Sequence, residues 1–304
     1  MVTFRQLKYF DALAHHLHFG RAAEQCAISQ PALSMQIREL EAALGVELIE
    51  RRAGKVALTA IGAEVARRAE RILAATQDLV DVARHGSRLL SGPLRLGVIP
   101  SVAPYLLPPL LPLLRERHPD LELHIRETQT SGLVRELAVG QLDLLVLALP
   151  VEHAEIETLP LLEDRFLLAL PAARTIARRL RATPELLAHD RLLLLEEGHC
   201  LREQALSYCG MHNVRGIDTF GASTLSTIVQ MVSNGYGITL LPELCVELER
   251  RHGDIRLMRF AEPEPHRTLG LAWRRSSPRK RDFMELGRFV TAVGEDLKRR
   301  SKAD

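Results

Sequence analysis

From Ala63 to His85 the chain runs without a glycine or a proline, and Val65, Ala69, Ile72, Leu73, Leu79, Val80 and Val82 supply an apolar face at helical spacing. At 1.5 Å per residue this is a helix of roughly 35 Å, unusual inside a compact domain. It reads as a linker helix that pairs with a second copy of itself, so a dimer is expected. Ser91-Gly92-Pro93 then breaks the chain. The expected division is 1–59, 60–90 (linker helix and hinge) and 91–304. At 46% apolar residues both flanking parts can bury cores.

Before the linker, Phe4, Leu7, Phe10, Leu13, Ala14 and Leu17 form one helical stripe, and Phe19 to Cys26 reads as a short helix broken near Ala27-Ile28-Ser29. Ser29 can cap the next helix and Pro31 fits its first turn, where the missing N–H costs nothing; Leu33, Ile37, Leu40 and Leu44 supply its buried face and Gly45 ends it. Two helices joined by a short turn form a helix-turn-helix, whose second helix enters the major groove of DNA. Its exposed face carries Gln30, Pro31, Ser34, Met35 and Arg38, suited to base edges and phosphates. Leu48 to Thr59 reads as a hairpin wing, with Arg51, Arg52 and Lys55 near its tip for the phosphate backbone. The net charge of +2 adds nothing to this reading; the placement of the charges carries it.

Beyond Pro93 strands alternate with helices: Leu94–Ile99, Tyr105–Arg117, Leu121–Arg126, Leu133–Val139 and Leu142–Ala148. A second block, with strands at Phe166–Leu170, Leu192–Leu195 and Ile238–Leu241 and a helix at Leu225–Ser233, looks similar. The fold class expected is a multidomain α/β chain, with a winged helix-turn-helix, a long linker helix and two doubly wound α/β subdomains arranged as in periplasmic binding proteins. Subdomain I covers about 91–164 plus 268–304 and subdomain II about 165–267. Ligands in such sheets bind beyond the carboxyl ends of strands, where Ser101 and Thr130 both fall.

The opening Met1-Val2-Thr3-Phe4-Arg5 lacks the apolar stretch of a signal peptide, and no segment reaches the ~18 apolar residues of a membrane span. A cytoplasmic location without membrane contact is expected. His15-His16-Leu17-His18 lacks the carboxylates or cysteines that complete a metal site, and Arg274, Arg275, Arg279, Lys280, Arg281, Arg299, Arg300 and Lys302 read as a solvated helix face. Of the four cysteines, Cys26 and Cys245 read as small buried apolar residues. Cys200 falls between Gly198, at a strand end, and a short helix from Leu201 to Tyr208. Free N–H groups and the helix dipole favour a thiolate there, with His199 and Arg202 as further donors.

The chain resembles the LysR-type regulators over essentially its whole length. The match lies in Arg21-Ala22-Ala23, Ser29-Gln30-Pro31-Ala32-Leu33-Ser34, Ile37, Leu40-Glu41, Leu44-Gly45, Leu48, Arg51, Leu58-Thr59 and Gly62, with Ile49 where the family often has Phe. Within that family the sensing part is similar to the peroxide-sensing members through Ile99-Pro100-Ser101, the run Gly198 to Leu206, Cys209 and Arg267-Thr268. The resemblance implies that Cys200 is the peroxide-reactive cysteine and Cys209 its resolving partner. It also implies that Ser101, Thr130, His199, Glu203 and Arg267 surround the peroxide or support the thiolate; Ser101 stands for a Thr and Glu203 for an Asp, each keeping its functional group.

Helical spacing from Cys200 to Cys209 is about 13.5 Å, whereas a disulfide needs Cα atoms within about 7 Å. Oxidation would therefore unwind the helix and re-space the DNA-binding parts. The partners implied are promoter DNA, a dimer or tetramer of this chain, RNA polymerase, and glutaredoxin or thioredoxin for reset; no cofactor is implied, peroxide being the signal. Two other readings stay open: a regulator answering a small metabolite in the cleft, and a thiol peroxidase.

Overall fold

The computed structural model describes residues 1–52, 55–84, 88–174, 180–183, 187, 190–208, 222–251 and 253–302. The chain divides into two units, one of Met1–Arg84 with Ala138–Gln141 and the other of the remainder.

In the first unit, α1 (Phe4–His16) opens on a capping box: the Thr3 hydroxyl accepts from the Gln6 N–H, and the Gln6 side chain accepts from the Thr3 N–H. After α2 (Phe19–Gln25), Ala27 adopts a left-handed φ of 53°, which turns the chain into α3 (Gln30–Leu44). Ser29 caps α3, Pro31 occupies its first turn, and Gly45 closes it at φ 69°. Phe10 and Leu13 of α1 meet Ala22 and Ala23 of α2 and the Leu33, Ile37, Leu40 stripe of α3 in one buried cluster. Each large side chain contributes about 1.5–3 kcal/mol by leaving water. Glu41 ties α3 to the wing, its carboxylate accepting from the Leu48 N–H at 2.8 Å and the Ile49 N–H at 3.3 Å. The wing is the antiparallel pair β1 (Ile49–Arg52) and β2 (Lys55–Leu58), in register from Ile49↔Leu58 to Arg52↔Lys55.

Thr59 joins the wing to α4 (Ala60–Arg84): its hydroxyl donates to the Glu47 carbonyl at 2.9 Å and accepts from the Gly62 N–H at 2.8 Å. A Cβ at position 62 would run into the backbone carbonyl of Leu48, so glycine is a steric requirement there. Gly62→Ala is expected to destabilise the first unit by about 1–3 kcal/mol while leaving the second unit unchanged, as read by amide exchange in each unit of the full chain. Equal protection in both proteins would refute the steric reading. Along α4, Ala66, Ala69, Leu73 and Ala74 are buried, whereas Ile61, Ile72, Leu79 and Val82 stand exposed.

In the second unit, β3 (Gly92–Val98) lies between the parallel strands β4 (Leu121–Glu127) and β5 (Leu144–Leu149), with α5 (Ala103–Arg117) and α6 (Thr130–Ala138) as crossovers. Leu144 through Ala148 are all buried, the pattern of a strand covered on both faces. The 16-residue strand β6 (Ile156–Pro171) pairs antiparallel with β9 (His266–Arg274) up to Arg165, then with β7 (Thr239–Pro242) and β8 (Ile255–Arg259) from Phe166 on. One strand thus belongs to two sheets. Among the described residues further helices are α7 (Cys200–Tyr208), α8 (Leu225–Ser233), α9 (Val246–Glu249, after the 3-10 turn Glu243–Cys245) and α10 (Lys280–Lys302).

Two expectations need correction. Leu192–Leu195 forms only isolated parallel bridges, Leu192↔Ile238 and Leu195↔Ala222, because its two ends meet two different segments and no single neighbour continues the ladder. Arg274 and Arg279 are buried rather than part of a solvated face. Arg274 donates to the Leu137 and Leu142 carbonyls at 3.0 and 2.6 Å, and Arg279 to Asp282 at 2.9 Å and the Pro93 carbonyl at 2.6 Å. Both arginines direct donors at backbone carbonyls of neighbouring segments.

Candidate redox site

The turn from β3 into α5 carries Ser101, buried against Arg267 near the start of β9. Arg267 Nη1 donates to Ser101 Oγ at 2.8 Å and Nη2 to the Ser101 carbonyl at 3.1 Å. On its other edge, Nε at 2.9 Å and Nη2 at 2.8 Å meet Asp164 Oδ2, both side chains being wholly excluded from solvent. Asp164 Oδ1 accepts from the Leu244 N–H at 2.9 Å. Burial opposes the guanidinium charge, but Asp164, with the thiols of Cys245 and Cys200 adding to it, carries the Arg267 pKa above its ordinary value. Arg267 therefore lies within electrostatic reach of Cys200. Because Ser101 Oγ accepts from Arg267, the Ser101 proton remains available for another acceptor.

Cys200 is the first residue of α7 and its side chain is half-buried. Gly198 precedes it at φ 91°, packed against the Gln129 side chain, and Gln129 Nε2 donates to the Glu197 carbonyl at 3.3 Å. This links the start of α6 to the turn that delivers Cys200. Thr130, the first residue of α6, has its hydroxyl oxygen buried without a hydrogen-bond partner. His199 is buried, with Nε2 at 3.9 Å from Glu196; burial pulls its pKa below the ordinary value against the pull of Glu196, so the ring is neutral at pH 7.

Other expected residues fall elsewhere. Glu203 is exposed on the first turn of α7, where a carboxylate complements the helix dipole rather than lining a buried site. Arg202 is buried and turns to the Leu195 carbonyl at 3.1 Å. Cys209 lies outside the described residues. On α3, Gln30, Pro31, Met35 and Arg38 are exposed and Ser34 is half-buried. Arg51, Arg52 and Lys55 belong by their backbone to the hairpin, and their side chains lie outside what is described.

Sequence reasoning missed Asp164, although a signal existed: Leu162, Asp164 and Phe166 share the buried face of β6, and an acid at an inward position of an alternating strand calls for a cation. Cys26 is half-buried rather than buried, and its thiol is pushed up chiefly by burial. Cys245 is buried, as expected, but is also polar in role, its thiol donating to the Ser101 carbonyl at 3.7 Å. Burial pushes this thiol well up, against Arg267.

A DNA-binding helix-turn-helix joined to a two-sheet α/β unit with an internal thiol site defines a class, and comparison with known proteins gives the same one. Residues 4–63 match the bacterial regulatory helix-turn-helix protein model of the lysR family, and residues 87–294 the LysR substrate binding domain. The chain belongs to the LysR family of transcription regulators. It is 40% identical to the DNA-binding transcriptional dual regulator OxyR of Escherichia coli K12, over 96% of this chain and 95% of that protein. A probable hydrogen peroxide-inducible genes activator of Streptomyces viridosporus is 42% identical, over 96% of this chain and 94% of that one. Among solved structures, a full-length mutant OxyR of Pseudomonas aeruginosa superposes with a TM-score of 0.71 at 36% identity, covering 96% of this chain and 98% of that one. A hydrogen peroxide-bound mutant OxyR of Corynebacterium glutamicum gives 0.69 at 33% identity, covering 99% and 95%. None of the helices among the described residues is long and apolar enough to cross a membrane.

Proposed function

We propose that this chain is a hydrogen peroxide-responsive transcription regulator that senses through Cys200. The reading is carried by the electrostatic coupling of the half-buried Cys200, at the start of α7, to Arg267, which also holds Ser101; the unpartnered hydroxyl of Thr130, next in sequence to the Gln129 that packs on the turn before Cys200, supports it. In the reaction, the Cys200 thiolate attacks one peroxide oxygen. An S–O bond forms as the O–O bond breaks; sulfur is oxidised by two electrons, and the departing hydroxide takes a proton and leaves as water. Ser101 and Thr130 can donate to the peroxide oxygens, and neutral His199 can pass the proton. The Arg267 charge steadies the thiolate.

Cys209 then attacks the sulfenic sulfur, an S–S bond forms and a second water leaves. The helix α7 runs to Tyr208, about 12 Å from Cys200 along its axis, so bonding to Cys209 requires it to open. Disulfide formation thereby becomes a conformational signal. A glutaredoxin or thioredoxin resets the switch; each cycle consumes one peroxide, as a thiol peroxidase's would, and the helix-turn-helix unit is what favours a sensor over an enzyme.

The exposed Ile61, Ile72, Leu79 and Val82 stripe of α4 is the dimer seam, and a tetramer forms from two dimers. Gln30, Pro31, Met35 and Arg38 of α3, with Ser34 at its edge, face promoter DNA, where RNA polymerase is recruited. A stoichiometric hydrogen peroxide pulse on the reduced full-length protein, followed by mass spectrometric mapping of the thiols, is expected to find Cys200 joined to Cys209 and Cys26 and Cys245 free. Four unreacted thiols would overturn the reading.

A further inference from the structure

Ser101 is held from behind as well as from the front. Its carbonyl accepts from Arg267 and from the Cys245 thiol. The Tyr105 hydroxyl lies beside Cys245, close enough for the two groups to shift each other's titration. Tyr105 Oη donates to Glu249 Oε1 at 2.5 Å, and Ser226 Oγ donates to the same oxygen at 2.8 Å. Tyr105 and Glu249 are both buried, and the second Glu249 oxygen has no partner. The phenol pKa is driven far up, first by burial and then by Cys245 and Glu249, so Tyr105 remains a donor.

The chain of contacts crosses the fold. Ser101 and Tyr105 follow β3, Cys245 and Glu249 follow β7, and Ser226 lies in α8. A buried acid with an oxygen unpaired costs stability that a leucine would not, so packing alone does not account for Glu249.

We propose that Tyr105, Cys245 and Glu249 are positioning residues for the peroxide site, fixing the Ser101 backbone so that its hydroxyl, already accepting from Arg267, donates toward the bound peroxide. This rests on the reading that Cys200 is oxidised by peroxide. The three touch no reacting atom; they act through Ser101. Without them Arg267 is the side-chain anchor left on Ser101 beside the backbone bonds of the turn, and the hydroxyl loses the direction that makes it useful in the transition state.

The test compares two reagents on full-length protein. Hydrogen peroxide needs the oriented hydroxyl, whereas iodoacetamide needs only an accessible thiolate. In Tyr105→Phe, which removes one oxygen, oxidation of Cys200 is expected to slow about tenfold while its alkylation stays within about twofold of wild type. Glu249→Leu should behave likewise. Glu249→Gln, which keeps the acceptor for Tyr105 and Ser226, should restore the ratio. Unchanged oxidation in Tyr105→Phe overturns the proposal, as does slowing of both reagents by the same factor, the mark of general disruption. If Glu249→Leu does not fold, Tyr105→Phe decides alone. A wild-type Cys200 that is alkylated normally but ignores peroxide would remove the functional reading and the proposal with it; a reactive wild type beside an indifferent Tyr105→Phe would remove the proposal alone.

Discussion

Asp164→Ala is expected to destabilise the second unit by about 3–5 kcal/mol, because it strips the partner from a guanidinium that water cannot reach. Arg267 would keep only its contacts to Ser101, and Nε would be left without an acceptor. The Leu244 N–H would lose its acceptor as well. The double replacement Asp164→Leu with Arg267→Met removes both charges together and should recover most of the loss, since a buried ion pair adds little over a well-packed apolar pair. It should not recover reaction with peroxide, because the charge that supports Cys200 is gone. Urea unfolding of the full-length proteins, beside the peroxide rate of each, checks both statements. A loss below about 1 kcal/mol in Asp164→Ala would show that the pair is not the anchor of this site.

Thr130→Val should separate stability from function in the opposite direction. The hydroxyl of Thr130 is buried and unpartnered, a state costing about 1–3 kcal/mol. Valine has the same shape without the polar atom, so the melting temperature is expected to rise. The rate of Cys200 oxidation is expected to fall about 10–100-fold, as when a preorganised donor is removed from a reacting oxygen. A thermal scan and stopped-flow oxidation of the same preparation measure the two effects. If valine leaves the rate untouched, Thr130 is no part of the peroxide site; if it lowers the melting temperature, the hydroxyl stabilises the fold rather than costing it.

The DNA-binding unit was legible in the sequence because its signals are local. Ser29, Pro31 and Gly45 mark the ends of α3 within a few residues of the stripe they bound, and Leu33, Ile37 and Leu40 repeat at the spacing of one helix face. The linker helix was legible for the same reason. In the second unit β5 could be read because it is apolar on both faces, but the first half of β6 could not. Ile156–Arg165 is half-exposed, contains Pro160, bulges between Pro160 and Leu162, and carries Glu163-Asp164-Arg165. Only Phe166–Leu170, buried throughout, read as a strand.

The site divides along the same line. Cys200 at the head of a helix, with Gly198 and His199 before it, is a feature of neighbouring residues, and the sequence by itself determined it. Which groups gather around Arg267 and Ser101 was decided only by the tertiary structure: Asp164 reaches Arg267 across 103 positions, Arg267 reaches Ser101 across 166, and Tyr105 reaches Glu249 across 144. Turn, cap and helix preferences act over a few residues. A buried charge or hydroxyl finds its partner wherever the sheets bring one within hydrogen-bond length, and no local pattern encodes that distance.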